Sequence, residues 1–136
     1  MRLYDAHNHL QDERLAPHLD AIIPAVTAAG IHRMVVNGSC EEDWPAVLTL
    51  ARRQSFVLPS FGYHPWYVSE RTEDWQAGLL HMLDATPSAV GEIGLDKWIL
   101  EPGRAIALGL KSAAPLPEQE EVFVWQLRLA AERNLD

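Results

Sequence analysis

Hydrophobic and polar positions along the chain switch between two periods. "RLYDAH" (residues 2–7) is a short strand candidate. Over "LAPHLDAIIPAVTAAG" (15–30), Leu19, Ile22, Ile23 and Val26 fall at i, i+3, i+4 and i+7, the spacing of one helix face. Pro17 suits a first turn and Gly30 a C-terminal cap. Pro24 sits badly inside this helix, so the spacing predicts a kink or a late start. "IHRMVVNG" (31–38) reads as a buried strand closed by glycine. "EEDWPAVLTLARRQ" (41–54) predicts a second helix with Trp44, Val47, Leu48 and Ala51 on one face. Its acidic start, and Arg52 and Arg53 at its end, suit the helix dipole.

The alternation then repeats. "SFVLPSFGYHP" (55–65) predicts a third strand running into a loop. "TEDWQAGLLHMLDATP" (72–87) predicts a third helix with Thr72 as its N-cap. "SAVGEIGLD" (88–96) predicts a fourth strand, short and glycine-rich. "EPGRAIALGLKSAAPLP" (101–117) reads as a long connection, and "EQEEVFVWQLRLAAERN" (118–134) as a fourth helix. Strands alternating with helices predict an α/β fold with a parallel sheet and right-handed crossovers. Two architectures satisfy this order: a small doubly wound sheet, or four βα units of a (β/α)8 barrel. A whole barrel needs about 250 residues.

Composition narrows the class. The chain of 136 residues, 48% apolar and 22% charged, is a single globular domain over 1–136. A formal net charge of −8 argues against a broad basic face that coats nucleic acid, though not against a local metal or phosphate site. One cysteine, Cys40, excludes an internal disulfide framework and reads as a packed residue. "RLYDAHNHL" lacks the apolar core of a secretion signal, and no stretch approaches the roughly 18 apolar residues of a membrane span. A reducing cytoplasm, with no membrane partner, is the expected setting.

Candidate chemistry gathers at the predicted strand ends, where parallel α/β folds place their sites. With a period of two, Asp5, His7 and His9 share a face, with Ala6 and Asn8 on the other. Two imidazoles one strand repeat apart can converge on one divalent ion. They can equally be two polar residues ending a strand. Asp5, lying deeper, reads as a supporting group or a packing residue. "GYHPWY" (62–67) presents His64, Trp66 and Tyr67, either as a site loop or as an aromatic loop packed on a helix. Glu92 is an acid in the apolar run that also holds Val90 and Ile93, costly to bury unless it pairs or binds a cation. Asp96 follows and could hold a ligand or substrate group. The five tryptophans read mainly as packing residues, and His32 and His81 as surface residues. No phosphate-binding glycine loop or nucleophile elbow occurs.

Together "YDAHNHL", "GYHPWYV", "AVGEIGLD" and "QEEVFVWQLRLAAERNL" resemble, in order and spacing, the TatD-like metal-dependent hydrolases of the amidohydrolase superfamily. The resemblance runs from residue 3 to 135. It implies the N-terminal four βα units of a TIM (β/α)8 barrel, and metal-dependent phosphodiester hydrolysis of the deoxyribonuclease type. It implies two divalent metal ions (Zn, Mn or Mg) in a complete site, with His7 and His9 as ligands and Glu92 as the bridge. It places His64 near substrate or transition-state charge and Asp96 in support. The partner it implies is a nucleic acid or another phosphodiester substrate.

The family pattern continues with a histidine after a fifth strand, then another histidine and an aspartate, and these three lie outside the sequence. The stretch 97–117 is also longer and more apolar than a plain loop. The expectation is therefore an open half-barrel with little or no hydrolysis alone. The alternative is a non-catalytic half-barrel that binds a divalent metal, forms a homo-oligomer or assembles with a missing C-terminal half.

Overall fold

The computed structural model describes residues 1–135. In chain order it has β1 (Leu3–Asn8), α1 (Leu19–Ala28), β2 (Ile31–Gly38), α2 (Trp44–Arg53), β3 (Val57–Phe61), α3 (Trp75–Ala85), β4 (Ala89–Val90), α4 (Arg104–Ala107) and α5 (Leu116–Arg133). Short 3-10 turns cover Ala16–His18, Val68–Glu70 and Trp98–Leu100.

The order of the strands decides between the two architectures. All four pair in parallel, in the sequential order β1-β2-β3-β4. A doubly wound sheet reverses direction at a switch point and puts its first strand inside. Here every crossover steps the same way, so the right-handed rule puts the helices on one face, as in a (β/α) barrel. Between β2 and β3, Val35 pairs with Leu58 and Asn37 with Ser60. Leu58, 45% exposed between buried Val57 and Pro59, marks the face that no helix covers.

Local chemistry accounts for most of the element boundaries. Pro17 lies in the 3-10 turn, and α1 starts late at Leu19. Pro24 stays inside α1 without an N–H for the carbonyl of Asp20. Gly30, at φ +83°, takes the left-handed conformation that ends α1. The core lies between the sheet and α2, α3 and α5, and includes Val36, Trp44, Val47, Phe61, Leu79 and Val122.

Four sequence expectations are corrected. Thr72 does not cap α3, whose N-cap residue is Asp74. The Thr72 N–H and hydroxyl instead donate to the Glu41 carboxylate at 2.9 and 2.6 Å, and the Tyr63 hydroxyl donates to the same group at 3.0 Å. β4 ends at Val90, so Glu92 lies beyond the strand. The cause is crowding: a Cβ on Gly62 would stand 1.8 Å from the Gly91 carbonyl oxygen, and one on Gly91 would stand 2.2 Å from Ser60 Oγ. The backbones cross too closely there for regular pairing to continue.

The third correction concerns the face of β1. Asp5 pairs with Met34 and Asn8 with Val36, so three steps along β1 match two along β2. This bulge breaks the alternation. Asp5 Oδ2 accepts the Asn8 side-chain N–H at 3.1 Å, and so sides with Asn8 rather than with the imidazoles. The fourth concerns the stretch 101–117. It holds α4, and Ile99, Ala105 and Leu110 form a small second core against Trp66, Tyr67 and Ala113.

Candidate metal centre

His7 is the last residue but one of β1 and His9 follows the strand, while Glu92 lies just past the end of β4 at the other edge of the sheet. Their ligand atoms nevertheless converge. His7 Nε2 is 3.0 Å from Glu92 Oε1, and His9 Nε2 is 3.8 Å from Glu92 Oε2. One ligand atom from each residue lies within 4.8 Å of the others. The imidazole rings meet edge to face, with centroids 5.3 Å apart. The side chains are 61%, 40% and 10% exposed for His7, His9 and Glu92, so the cluster opens to solvent on its histidine side.

The surroundings orient these groups. His9 Nδ1 stands 2.9 Å from the Asn37 carbonyl oxygen. A carbonyl only accepts, so Nδ1 carries a hydrogen, which leaves Nε2 as the ring nitrogen that can face a metal. Gln11 Nε2 donates to the same carbonyl at 2.5 Å and to Asp43 Oδ2 at 3.0 Å. Asp43 also accepts the Ser39 N–H at 2.9 Å and holds the turn after β2. Asp5 Oδ1 accepts the His7 N–H at 3.0 Å, which fixes the bulge that aims His7. Glu92 has φ +62°, a left-handed conformation that a residue with a Cβ adopts at a cost of about 1–3 kcal/mol. The donor set therefore fits one divalent cation: two imidazole nitrogens and a nearly buried carboxylate.

His64 lines the same cleft, about 1050 Å³ in volume, together with His7, His9, Glu92, Trp66 and Tyr67. The Trp66 N–H donates to His64 Nδ1 at 3.2 Å. Burial is the main cause that holds the His64 pKa below its ordinary 6.5, against the opposing charges of Glu92 and Asp96. A neutral ring whose Nδ1 accepts must carry its hydrogen on Nε2. His64 is thus arranged to donate a hydrogen bond rather than to bind a metal through Nε2. Asp96 does not join the cluster. Its Oδ2 accepts the Trp66 indole N–H at 2.6 Å and its Oδ1 the Trp98 backbone N–H at 2.7 Å. Trp66 in turn stands edge to face on His64 at 5.1 Å.

Sequence reasoning missed Gln11, Asn37 and Asp43. Uncharged or capping residues next to a turn carry no metal signature, and only the tertiary contact reveals them. Cys40 is half-buried, and burial is the largest cause pushing its thiol up to about 11, so it offers no nucleophile. Trp44 and Trp75 are core residues, but Trp98 stays 38% exposed beneath the Arg104 guanidinium, 4.7 Å from its ring centre. His32 and His81 lie on the surface.

The chain is similar to known proteins. The chain is 28% identical over 135 residues to a Bacillus subtilis protein named uncharacterized metal-dependent hydrolase YabD, covering 98% of the chain and 48% of that protein. It is 30% identical over 138 residues to the 3'-5' ssDNA/RNA exonuclease TatD of Escherichia fergusonii, covering 98% of the chain and 47% of that protein. Among solved structures it superposes on YJJV, a TatD homolog from Escherichia coli K12, with a TM-score of 0.80 at 24% identity, over 98% of the chain and 48% of that structure. A TatD family hydrolase from Entamoeba histolytica matches with a TM-score of 0.73 at 16% identity, over 97% of the chain and 46% of that structure. The chain thus spans about half the length of the curated relatives it matches. At these identities the structural likeness establishes the fold, four βα units of a TIM barrel. The TatD related DNase family matches residues 4–135, nearly the whole sequence, and the chain belongs to that family.

Proposed function

We propose that this chain supplies the N-terminal part of the active site of a metal-dependent hydrolase acting on phosphodiester bonds. The observation that carries the reading is the convergence of His7 Nε2, His9 Nε2 and the Glu92 carboxylate, with the His9 ring oriented through Nδ1 by the Asn37 carbonyl. The E. fergusonii relative, named as an exonuclease on single-stranded DNA and RNA, supports nucleic acid as the substrate class. A divalent ion held by these three residues would supply Lewis acidity and acidify a bound water. His64 Nε2–H would then donate to an anionic oxygen of the substrate, and its neutrality avoids a costly buried charge. Trp66, held by Asp96, keeps the His64 ring in place.

Three side-chain ligands can hold a single ion and leave coordination positions open. The chain alone is therefore expected to bind Zn2+ or Mn2+ but to cleave a single-stranded oligonucleotide slowly or not at all. Calorimetric titration with Zn2+ tests the first part. Binding should weaken at least about 10-fold in His9→Ala, and an unchanged affinity there would remove the basis of the reading. Efficient cleavage by the chain, lost in His7→Ala, would contradict the second part.

The face not covered by helices supports a second reading, a half-barrel that works by assembling with further strands. Leu58 is 45% exposed on that face, and β1 has no buried residue. Light scattering separates the two readings, because a monodisperse monomer would count against assembly.

A further inference from the structure

We infer that Gln119 and Gln126 are positioning residues, whose side-chain amides fix the backbones of the two loops that carry Glu92 and His64. This rests on the reading of His7, His9 and Glu92 as a divalent-metal site. Both glutamines are 0% exposed, and both lie on α5, two turns apart and so on one face.

Their contacts follow one pattern. Gln126 Oε1 accepts the Tyr63 N–H at 2.6 Å, and Gln126 Nε2 donates to the Tyr63 carbonyl at 3.3 Å. Gln119 Oε1 accepts the Asp96 N–H at 2.8 Å, and Gln119 Nε2 donates to the carbonyls of Asp96 at 3.1 Å and Ala114 at 2.9 Å. Each amide thus gives one residue the donor and acceptor that a neighbouring strand would otherwise give. Both contacts lie past the end of the sheet, since β3 stops at Phe61 and β4 at Val90. Backbone groups buried there need partners, and α5 supplies them.

A buried amide is costly unless paired, and an apolar residue would fill either position more cheaply. What the amide adds is direction. Tyr63 is the residue before His64. Asp96 ends the segment that Glu92 opens, and its carboxylate holds the Trp66 indole. Upstream, the Gly91 N–H donates to the Phe61 carbonyl at 3.2 Å. Between that bond and Gln119 lies Glu92 at φ +62°, a conformation that persists only where its surroundings over-determine it. Gln119 is the downstream anchor of that strained segment, whereas the Gln126 amide makes its hydrogen bonds to Tyr63.

The two positions therefore have separable effects. Zn2+ titration of the chain, with amide hydrogen exchange, compares wild type with Gln119→Met, Gln126→Met and Val122→Ala. Val122, 2% exposed on the same helix, is a core truncation without loop hydrogen bonds. Gln119→Met is expected to weaken Zn2+ binding about 10-fold and to expose the Asp96 amide. Gln126→Met is expected to leave Zn2+ affinity unchanged, to expose the Tyr63 amide, and to weaken inorganic phosphate binding by the zinc-loaded chain severalfold. Val122→Ala should lower the melting temperature and change none of these.

Gln119→Glu keeps the acceptor for the Asp96 N–H and should recover part of the affinity. It carries the test if the methionine variant does not fold. Equal Zn2+ affinity in wild type and Gln119→Met would overturn the inference, as would an equal loss in Val122→Ala. If wild type binds no Zn2+, the metal reading fails, and protection of the Tyr63 and Asp96 amides alone decides whether the two clamps exist.

Discussion

The two sides of the candidate site are built differently. The histidine side stands on β1 and α1, neither of which has a buried residue. The Glu92 and His64 side stands over the main core, where four of the five β3 residues are buried and Trp44, Phe61 and Leu79 are at most 1% exposed. Each side uses a different means of holding its groups. On the β1 side, hydrogen bonds to the Asp5 carboxylate and to the Asn37 carbonyl of the neighbouring strand orient His7 and His9. Beyond β3 and β4, close backbone approach at Gly62 and Gly91 and the amides of α5 do so. A ligand can therefore be aimed by a short hydrogen bond on an open edge, but a strained backbone such as that of Glu92 needs a packed base.

The largest expected contrast is in stability. Trp44 is 1% exposed, its indole N–H donates to the Gly62 carbonyl at 3.0 Å, and its ring meets Tyr63 edge to face at 5.6 Å. Trp44→Ala should cost about 3–5 kcal/mol by urea denaturation. Ile22→Ala on half-buried α1 should cost about 1–2 kcal/mol, since less apolar surface is lost. Equal losses would erase the distinction between the two sides.

A smaller effect of opposite sign is expected at Glu92. Relief of its left-handed conformation by glycine returns about 1–3 kcal/mol. The added chain entropy of glycine takes back about 0.5–1 kcal/mol, and the partner His7, 61% exposed, adds little. The metal-free Glu92→Gly chain should thus be about 1 kcal/mol more stable than wild type while Zn2+ binding is lost. A less stable variant would show that the surroundings, not the backbone, dominate at this position.

The sequence made the order of elements legible, because amphipathic spacing records burial directly: Trp44, Val47 and Leu48 of α2 are buried as their spacing predicts. It also brought His7, His9 and Glu92 forward, since their residue types carry the metal signature. What it did not show depends on contacts between distant segments. The bulge at Asp5–Asn8 needs the pairing with β2, and the end of β4 needs the approach of Gly62 to Gly91. Asp96 looked available for the site because nothing in its neighbourhood reveals the Trp66 indole 30 residues away. Gln119 and Gln126 did leave a trace, as polar residues on the buried stripe of a helix, but that trace does not name what they hold.

The smallest expected effect concerns the buried His64. Its pKa lies below the ordinary 6.5, chiefly through burial, so the folded chain takes up this proton less readily than the unfolded one. The stabilisation from its neutral ring is complete above about pH 6.5 and is lost as pH falls from there through the folded pKa. In the presence of a chelator, wild type should lose stability between pH 7 and 5 more steeply than His64→Gln. The difference in slope must stay below the roughly 1.4 kcal/mol per pH unit that one whole proton sets. His7 and His9, on the open side, are present in both chains and cancel in the comparison. Parallel slopes would mean that the His64 loop opens before the ring is protonated, and that the side of the site resting on the core is no firmer at this point than the edge.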